Sequence, residues 1–193
     1  MRIGIIGFGF SGLMVAANLL RATDKPLTIY IIDENRDGCG VAYSTTNPDH
    51  LLNVRASGMS AWTDTPDHLV QWLKSDDGKH AASSLNLRSD YGADDFIPRM
   101  LYGAYLQDIW HETQEIAAHK NCSIKLVPAH AVAVQAGAVP AILTARGDAI
   151  AVDKIVLAAG HETKPVLPSA SSPAIVQNPW ASGALAGAAQ WLS

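Results

Sequence analysis

Apolar positions along this chain change period several times, and each change marks a different kind of element. Ile3–Ile6 is a short unbroken apolar run, the texture of a buried strand. It stops at a cluster of glycines. The period then lengthens: Leu13, Ala16, Ala17, Leu19 and Leu20 fall on one helical face, in a segment running to about Arg21. A second run, Leu27–Ile32, reads again as strand and ends on Asp33-Glu34. Residues 34–55 follow no period and carry Gly38, Gly40 and Pro48, which predicts a long loop of the kind that lies against a ligand.

Helical spacing returns after Thr65-Pro66. Thr65 suits an N-cap and Pro66 a first helical residue, with Leu69, Trp72 and Leu73 inward and an end near Lys74. Ser75–Asn86 is polar and reads as an exposed, mobile excursion. A longer helix opens at Phe96-Ile97-Pro98-Arg99, capped by Asp94 or Asp95, with Pro98 in its first turn. Leu101, Tyr105, Ile109, Glu112 and Ile116 form its stripe. Beyond Asn121 the period is two. Ser123–Val127 and the segments 131–135, 139–145 and 149–152, with turns at Gly137 and Arg146-Gly147-Asp148, predict a small antiparallel meander. Lys154–Gly160 reads as a buried strand running into small residues, which admit a second backbone or a cofactor. The fold class is α/β: a βαβ unit in a parallel sheet, a helical excursion, then a meander.

The candidate chemistry sits where the first strand stops. Gly7-Phe8-Gly9-Phe10-Ser11-Gly12 is G-x-G-x-x-G, and it lies between a strand and a helix. Gly7 permits the turn, Gly9 lets a pyrophosphate approach the backbone, and Gly12 lets the helix pack on the sheet. Phe10 and Ser11 lie within the motif, and the helix N-terminus there offers N–H groups and a partial positive charge that favour phosphate. Asp33 lies 21 positions after Gly12, at the carboxyl end of the second strand. A carboxylate there accepts both hydroxyls of an adenosine ribose and repels a 2′-phosphate, so the site prefers FAD or NAD to NADP. Glu34 is the competing carboxylate.

Composition narrows the partners. The chain has 193 residues, enough for one domain, and a net charge of −4, which points to neither nucleic acid nor an anionic membrane. No apolar run has the length of a membrane span. Cys39 and Cys122 have neither metal-type nor disulfide-framework spacing, which fits a reducing cytoplasm. No Ser-His-Asp order and no Cys-His cluster stands out. His50 and His161 read as loop histidines with satisfied hydrogen bonds.

Several segments resemble the N-terminal part of bacterial FAD/NAD(P)-binding oxidoreductases, near the flavin monooxygenases and the lysine and ornithine N-hydroxylases. They are Ile3–Gly12, Gly40-Val-Ala-Tyr-Ser44, His50-Leu-Leu-Asn-Val54, Met59-Ser60, the stretch Pro98–Leu106, Val156–Gly160 and Asn178-Pro179-Trp180. The resemblance implies a Rossmann-like FAD-binding fold and FAD as cofactor. It implies that Gly7, Gly9, Gly12 and Asp33 hold the ADP half, that Ala131 and Val132 lie by the adenine, and that Ala159 and Gly160 pass the diphosphate. Tyr43, Ser44, Asn53 and Met59 would approach the flavin, and Arg99 would contact a phosphate or the flavin. For Arg99 a salt bridge holding the helix start is an equal alternative.

Such proteins carry a second glycine motif for NAD(P)H, and this chain has none. The expectation is a single domain over 1–193. It divides into a βαβ fingerprint (1–34), a loop and helical excursion (35–120), a meander with a return strand (121–160) and a tail read as truncated (161–193). As a function this is the FAD-binding portion of an NAD(P)H-dependent oxidoreductase, with little turnover alone. The alternative is a non-catalytic dinucleotide-binding module that self-associates or completes its fold with a partner.

Overall fold

Arg2–Ile6 forms β1: Ile3 and Ile5 bury on one face of a parallel sheet, and Gly4 is covered on the other. The computed structural model describes residues 1–160. The predicted tail, with His161 and Asn178-Pro179-Trp180, lies outside them. Helix α1 (Phe10–Ala22) follows, and then β2 (Thr28–Ile32), parallel to β1 with Ile3 opposite Ile29 and Ile5 opposite Ile31. The helix buries Leu13, Ala16, Ala17 and Leu20 as its spacing predicts, and Gly12 and Met14 with them.

The sheet extends to both sides of this pair. β3 (Ser123–Val127) adds parallel to β2, and β7 (Lys154–Leu157) adds parallel to β1, giving the order β3-β2-β1-β7. This corrects two sequence readings. The segment 123–127 alternates like a meander strand yet belongs to the parallel sheet, because its register lies alongside Thr28–Ile32. The segment 154–157 is half-exposed rather than buried, with Leu157 71% accessible. The meander itself is β4 (Ala131–Gln135), β5 (Ala141–Thr144) and β6 (Ala149–Ala151). Ile142 and Val152 of that unit are fully buried and close over Gly4 of β1, which has no side chain to displace them.

The excursion contains four α-helices joined by loops. A short helix, α2 (Gly40–Tyr43), leads to a loop fastened alongside residues 93–99. Leu52 N–H donates to Ile97 O at 2.9 Å, Ala56 N–H to Asp95 O at 2.9 Å and Ser57 N–H to Ala93 O at 2.9 Å. Helix α3 (His68–Lys74) starts later than Thr65-Pro66 suggests, with Asp67 at its N-cap, after a turn in which His68 N–H donates to Thr65 O.

The polar stretch read as exposed contains a helix, α4 (Asp76–Ser84). Ser75 explains it. Its hydroxyl donates to Trp72 O at 2.7 Å, ending α3, and accepts from Gly78 N–H at 3.2 Å, starting α4. Asp76 and Asp77 then complement the helix dipole in the first turn. Gly78 and Ala82 are buried, so the stretch packs through small residues that a hydrophobicity scan passes over. Ser75→Ala is expected to destabilise the α3–α4 junction by about 1 kcal/mol. Faster amide exchange confined to residues 72–80 would register the loss; unchanged exchange there would refute the capping role.

Helix α5 (Arg99–His119) spans 21 residues and carries the core of the excursion. Neither aspartate caps it. Asp95 accepts from Gly92 N–H and from Arg88, Asp94 pairs with Arg55, and the N-cap is Pro98. Leu101, Tyr105 and Ile109 are buried as predicted, but Glu112 is exposed and Thr113 takes the inward position, its hydroxyl donating to Ile109 O at 2.6 Å. Tyr102 and Tyr105 are both core residues.

Candidate functional site

Chain order and sheet order diverge at β1. The chain leaves β1 through α1 to β2 and β3 on one side, and β7 returns on the other. In a parallel sheet this divergence opens a crevice at the carboxyl ends of the strands. The G-x-G-x-x-G turn occupies it. Gly7 N–H donates to Ile32 O at 2.9 Å, Asp33 N–H to Val127 O at 3.2 Å and Ala158 N–H to Ile6 O at 2.7 Å, so four strand ends meet around the turn.

The glycines have distinct geometric duties. Gly7 has φ +104°, and a Cβ there collides with the Ala158 carbonyl. A Cβ on Gly12 collides with Gly7 O, which is how closely α1 approaches the strand end. Gly9 faces another glycine: a Cβ on Gly40 would lie 3.0 Å from Gly9 Cα. Sequence reasoning missed Gly40. Its signal, a glycine in a turn-rich loop with φ +59° in the structure, has meaning only once the two backbones are seen to cross.

The N-terminus of α1 is uncapped. No side chain caps Gly9, and the first turn holds no acidic residue. Phe10 is half-buried and Ser11 exposed. Asp33 stands opposite. Its Oδ2 accepts from Phe8 N–H at 2.6 Å and its Oδ1 from Asn35 N–H at 2.8 Å. The carboxylate therefore braces the turn as well as facing the crevice, and each oxygen keeps a further acceptor site. Glu34 is exposed beside it. Ala158, Ala159 and Gly160 (φ +70°) run past Gly7, with Ala159 and Gly160 exposed. Ala131 and Val132 begin β4 after a short connection from Val127, and Val132 is 59% accessible.

The second cluster lies on α2 and the loop after it. Tyr43 packs on Tyr102, ring centroids 4.6 Å apart, and on Phe10 of the turn at 6.4 Å. Phe10 thus links the turn to the Tyr43 loop. Gly103 makes room for this, since a Cβ there collides with the Tyr43 carbonyl. Ser44 and Asn53 are exposed, whereas Met59 is half-buried against the core. Arg99 fastens the loop: its N–H donates to His50 O at 2.8 Å and its Nε to Leu51 O at 3.1 Å, with the guanidinium 6.0 Å from the Tyr43 ring centroid. His50 Nδ1 meets Thr45 Oγ1 at 2.7 Å.

A cleft of 190 Å³ opens beside Tyr43 and Ser44, bounded by Cys39, Gly103 and Gln107. Burial, reinforced by the charge of Asp37, pushes the Cys39 thiol up to about 12, with the Gln107 contact acting the other way. Cys39 is therefore a thiol and no nucleophile. Burial also raises the Tyr43 phenol, and Arg99 opposes it. A larger cleft of 380 Å³ lies on the far side of α5, between His68, Trp72, Tyr105 and the carboxylates Asp108, Glu112 and Glu115. Among the described residues no group of three or more His, Cys, Asp or Glu is placed to hold a metal ion, and no helix is long and apolar enough to cross a membrane.

Comparison with known proteins bears on this geometry. A family model described as FAD-NAD(P)-binding matches residues 4–162. The L-aspartate N-monooxygenase (nitrosuccinate-forming) of Streptomyces cremeus is 25% identical over 83% of this chain, and the chain spans 29% of that protein's length. Among solved structures, ε-caprolactone-bound cyclohexanone monooxygenase superposes with a TM-score of 0.51 at 15% identity. That match covers 88% of this chain and 29% of the other. At this identity the likeness is one of fold. A complex of OTEMO with FAD and NADP matches with a TM-score of 0.48 at 11% identity, covering 89% of this chain and 28% of the other.

Proposed function

Because this chain belongs to the FAD-NAD(P)-binding family, we propose that it is the FAD-holding portion of an NAD(P)H-dependent flavin oxidoreductase of monooxygenase type. The observation that carries the reading is the uncapped α1 N-terminus and its glycine turn, set at the sheet's switch point with Asp33 opposite. The residues fit the group, because the α1 N-terminus carries no side-chain cap and no acidic residue in its first turn, which suits an anionic diphosphate.

In this reading the N–H groups of Phe10, Ser11 and Gly12 hold the diphosphate, with Gly7 and Gly9 admitting it to the backbone. Asp33 accepts the adenosine ribose hydroxyls, with Glu34 as the competing acceptor. Ala131 and Val132 border the adenine, while Ala159 and Gly160 flank the diphosphate. Tyr43, Ser44, Asn53, Met59 and Arg99 border the flavin. When bound, FAD supplies the electron-accepting ring for NAD(P)H as donor. The chain's own residues bind and orient. Asp33 disfavours a 2′-phosphate by charge, and the Tyr43–Arg99 pair fixes the loop on the flavin side.

The reading extends to a cytoplasmic chain without nucleic-acid or membrane partners. The glycine turn and uncapped α1 N-terminus, which are binding features alone, also suit a second reading. In it the chain is a dinucleotide-binding module without turnover, which acts through a partner or by self-association.

A visible absorption spectrum of the purified chain, followed by denaturation and chromatography of any released nucleotide, tests the reading. Yellow protein releasing FAD supports it. Colourless protein whose melting temperature FAD does not raise overturns it. Steady NAD(P)H oxidation by the FAD-loaded chain alone would eliminate the module reading.

A further inference from the structure

We propose that Tyr43, Tyr102, Tyr105 and Trp72 form a one-electron relay leading from the dinucleotide site to the far side of α5, with His68 as proton acceptor for Tyr105. The inference rests on the proposed FAD site, since Tyr43 stands on its flavin side.

The rings are contiguous. Centroids are 4.6 Å apart for Tyr43–Tyr102, 5.4 Å for Tyr102–Tyr105 and 5.4 Å for Tyr105–Trp72. Phenols and indoles are the side chains that give up one electron most readily. Packing alone does not call for them here. Tyr102 and Tyr105 are 1% and 0% exposed, and a phenylalanine fills the same space without burying a hydroxyl.

The Tyr105 hydroxyl is fully engaged. It accepts from Ala61 N–H at 3.3 Å and meets His68 Nδ1 at 2.7 Å. In the tautomer of His68 that carries hydrogen on Nε2, Nδ1 accepts the Tyr105 proton. Burial raises this phenol, so it does not ionise ahead of oxidation, and its proton needs a local acceptor. His68 is that acceptor. It opens on the 380 Å³ cleft, which Asp77, Asp108, Glu112 and Glu115 also line. At the end of the relay, Trp72 Nε1 donates to Asp108 Oδ2 at 2.6 Å, which favours a cationic indole.

The step balances as follows. The oxidant is a strong one-electron oxidant at the flavin position, of which an oxidised flavin ring excited by blue light is one. One electron passes from Tyr105 through Tyr102 and Tyr43 to that ring. The phenolic O–H bond breaks, and the proton bonds to His68 Nδ1. The products are a flavin ring one electron richer, a neutral phenoxyl radical and an imidazolium. Return of one electron and that proton restores Tyr105. The relay drains stray oxidising equivalents away from the site.

The test loads the full chain with FAD, excites it with blue light and reads flavin emission lifetime and electron paramagnetic resonance. The expected result is quenched emission and a phenoxyl radical on Tyr105. Tyr105→Phe loses that radical, Tyr102→Phe confines it to Tyr43, and His68→Gln shortens its life. Equal radical yield and lifetime in Tyr105→Phe and His68→Gln overturn the relay. Circular dichroism checks each fold, and the half-buried His68→Gln carries the test if Tyr105→Phe does not fold. Where FAD fails to bind, the proposed function fails separately. The same variants are then oxidised with photoexcited tris(bipyridyl)ruthenium and persulfate, and absence of a Tyr105 radical overturns the relay there too.

Discussion

Gly7→Ala is expected to cost this chain both stability and dinucleotide binding. At φ +104° a β-carbon is strained, by about 1–3 kcal/mol. The same β-carbon meets the carbonyl of Ala158, a residue held to β1 by its N–H donating to Ile6 O, and a backbone carbonyl has no rotamer to change. Overpacking of that kind adds about 1–3 kcal/mol. For a domain of this size the sum corresponds to a melting temperature lower by roughly 10 °C. Gly147→Ala is the control. That residue has φ +88° but nothing within 4 Å of its β-carbon, so it carries strain without collision. If calorimetry finds the two variants equally destabilised, the backbone crossing at Ala158 is not what requires a glycine. Moving either wall of the turn also displaces the N–H groups of α1, so FAD retention is expected to disappear at temperatures where the fold survives.

Asp33→Ala is expected to weaken binding more than Glu34→Ala beside it. It deletes two hydrogen bonds to an ionised acceptor, from Phe8 N–H at 2.6 Å and Asn35 N–H at 2.8 Å. Bonds to a charged group are worth about 1.5–3 kcal/mol each. In the proposed function it also deletes the ribose acceptor. Loss of one such contact alone raises the Kd for FAD by roughly 10- to 100-fold. Loss of the carboxylate further removes the charge that disfavours a 2′-phosphate, so NADP is expected to gain on NAD. Titration calorimetry with both nucleotides measures this. Glu34→Ala, at an exposed side chain, is the comparison. A larger effect at Glu34 than at Asp33 would reverse the assignment.

Much of the architecture was legible in the sequence because local rules suffice for it. The period change at Gly7–Gly12, the unbroken runs Ile3–Ile6 and Leu27–Ile32, and the alternation after Asn121 each carry their own physical cause: burial on one face, on two faces, or in alternation. The fingerprint glycines were recognised for the same reason, since strand, turn and helix are neighbours in the chain. Helix α4 escaped notice because its packing residues are Gly78 and Ala82, whose small side chains leave no hydrophobic period. The N-cap of α5 was misplaced because Asp94 and Asp95 are drawn into contacts with Arg55, Arg88 and Gly92 N–H, outside the helix.

What the sequence by itself determined is therefore local: the βαβ unit, the anion-ready helix end, the carboxylate at the tip of β2, and the identity of the long helix. What only the tertiary structure decided is long-range. Strand Ser123–Val127 joined the parallel sheet because β2 offered an edge in register, a partner choice that a five-residue alternating segment does not encode. Gly9 meets Gly40, and Gly7 meets Ala158, because the chain returns twice to the same crevice. Tyr105 meets His68 because α3 folds back on α5. Pairings across such distances are set by the burial of whole faces against one another, and no window of neighbouring residues contains that information.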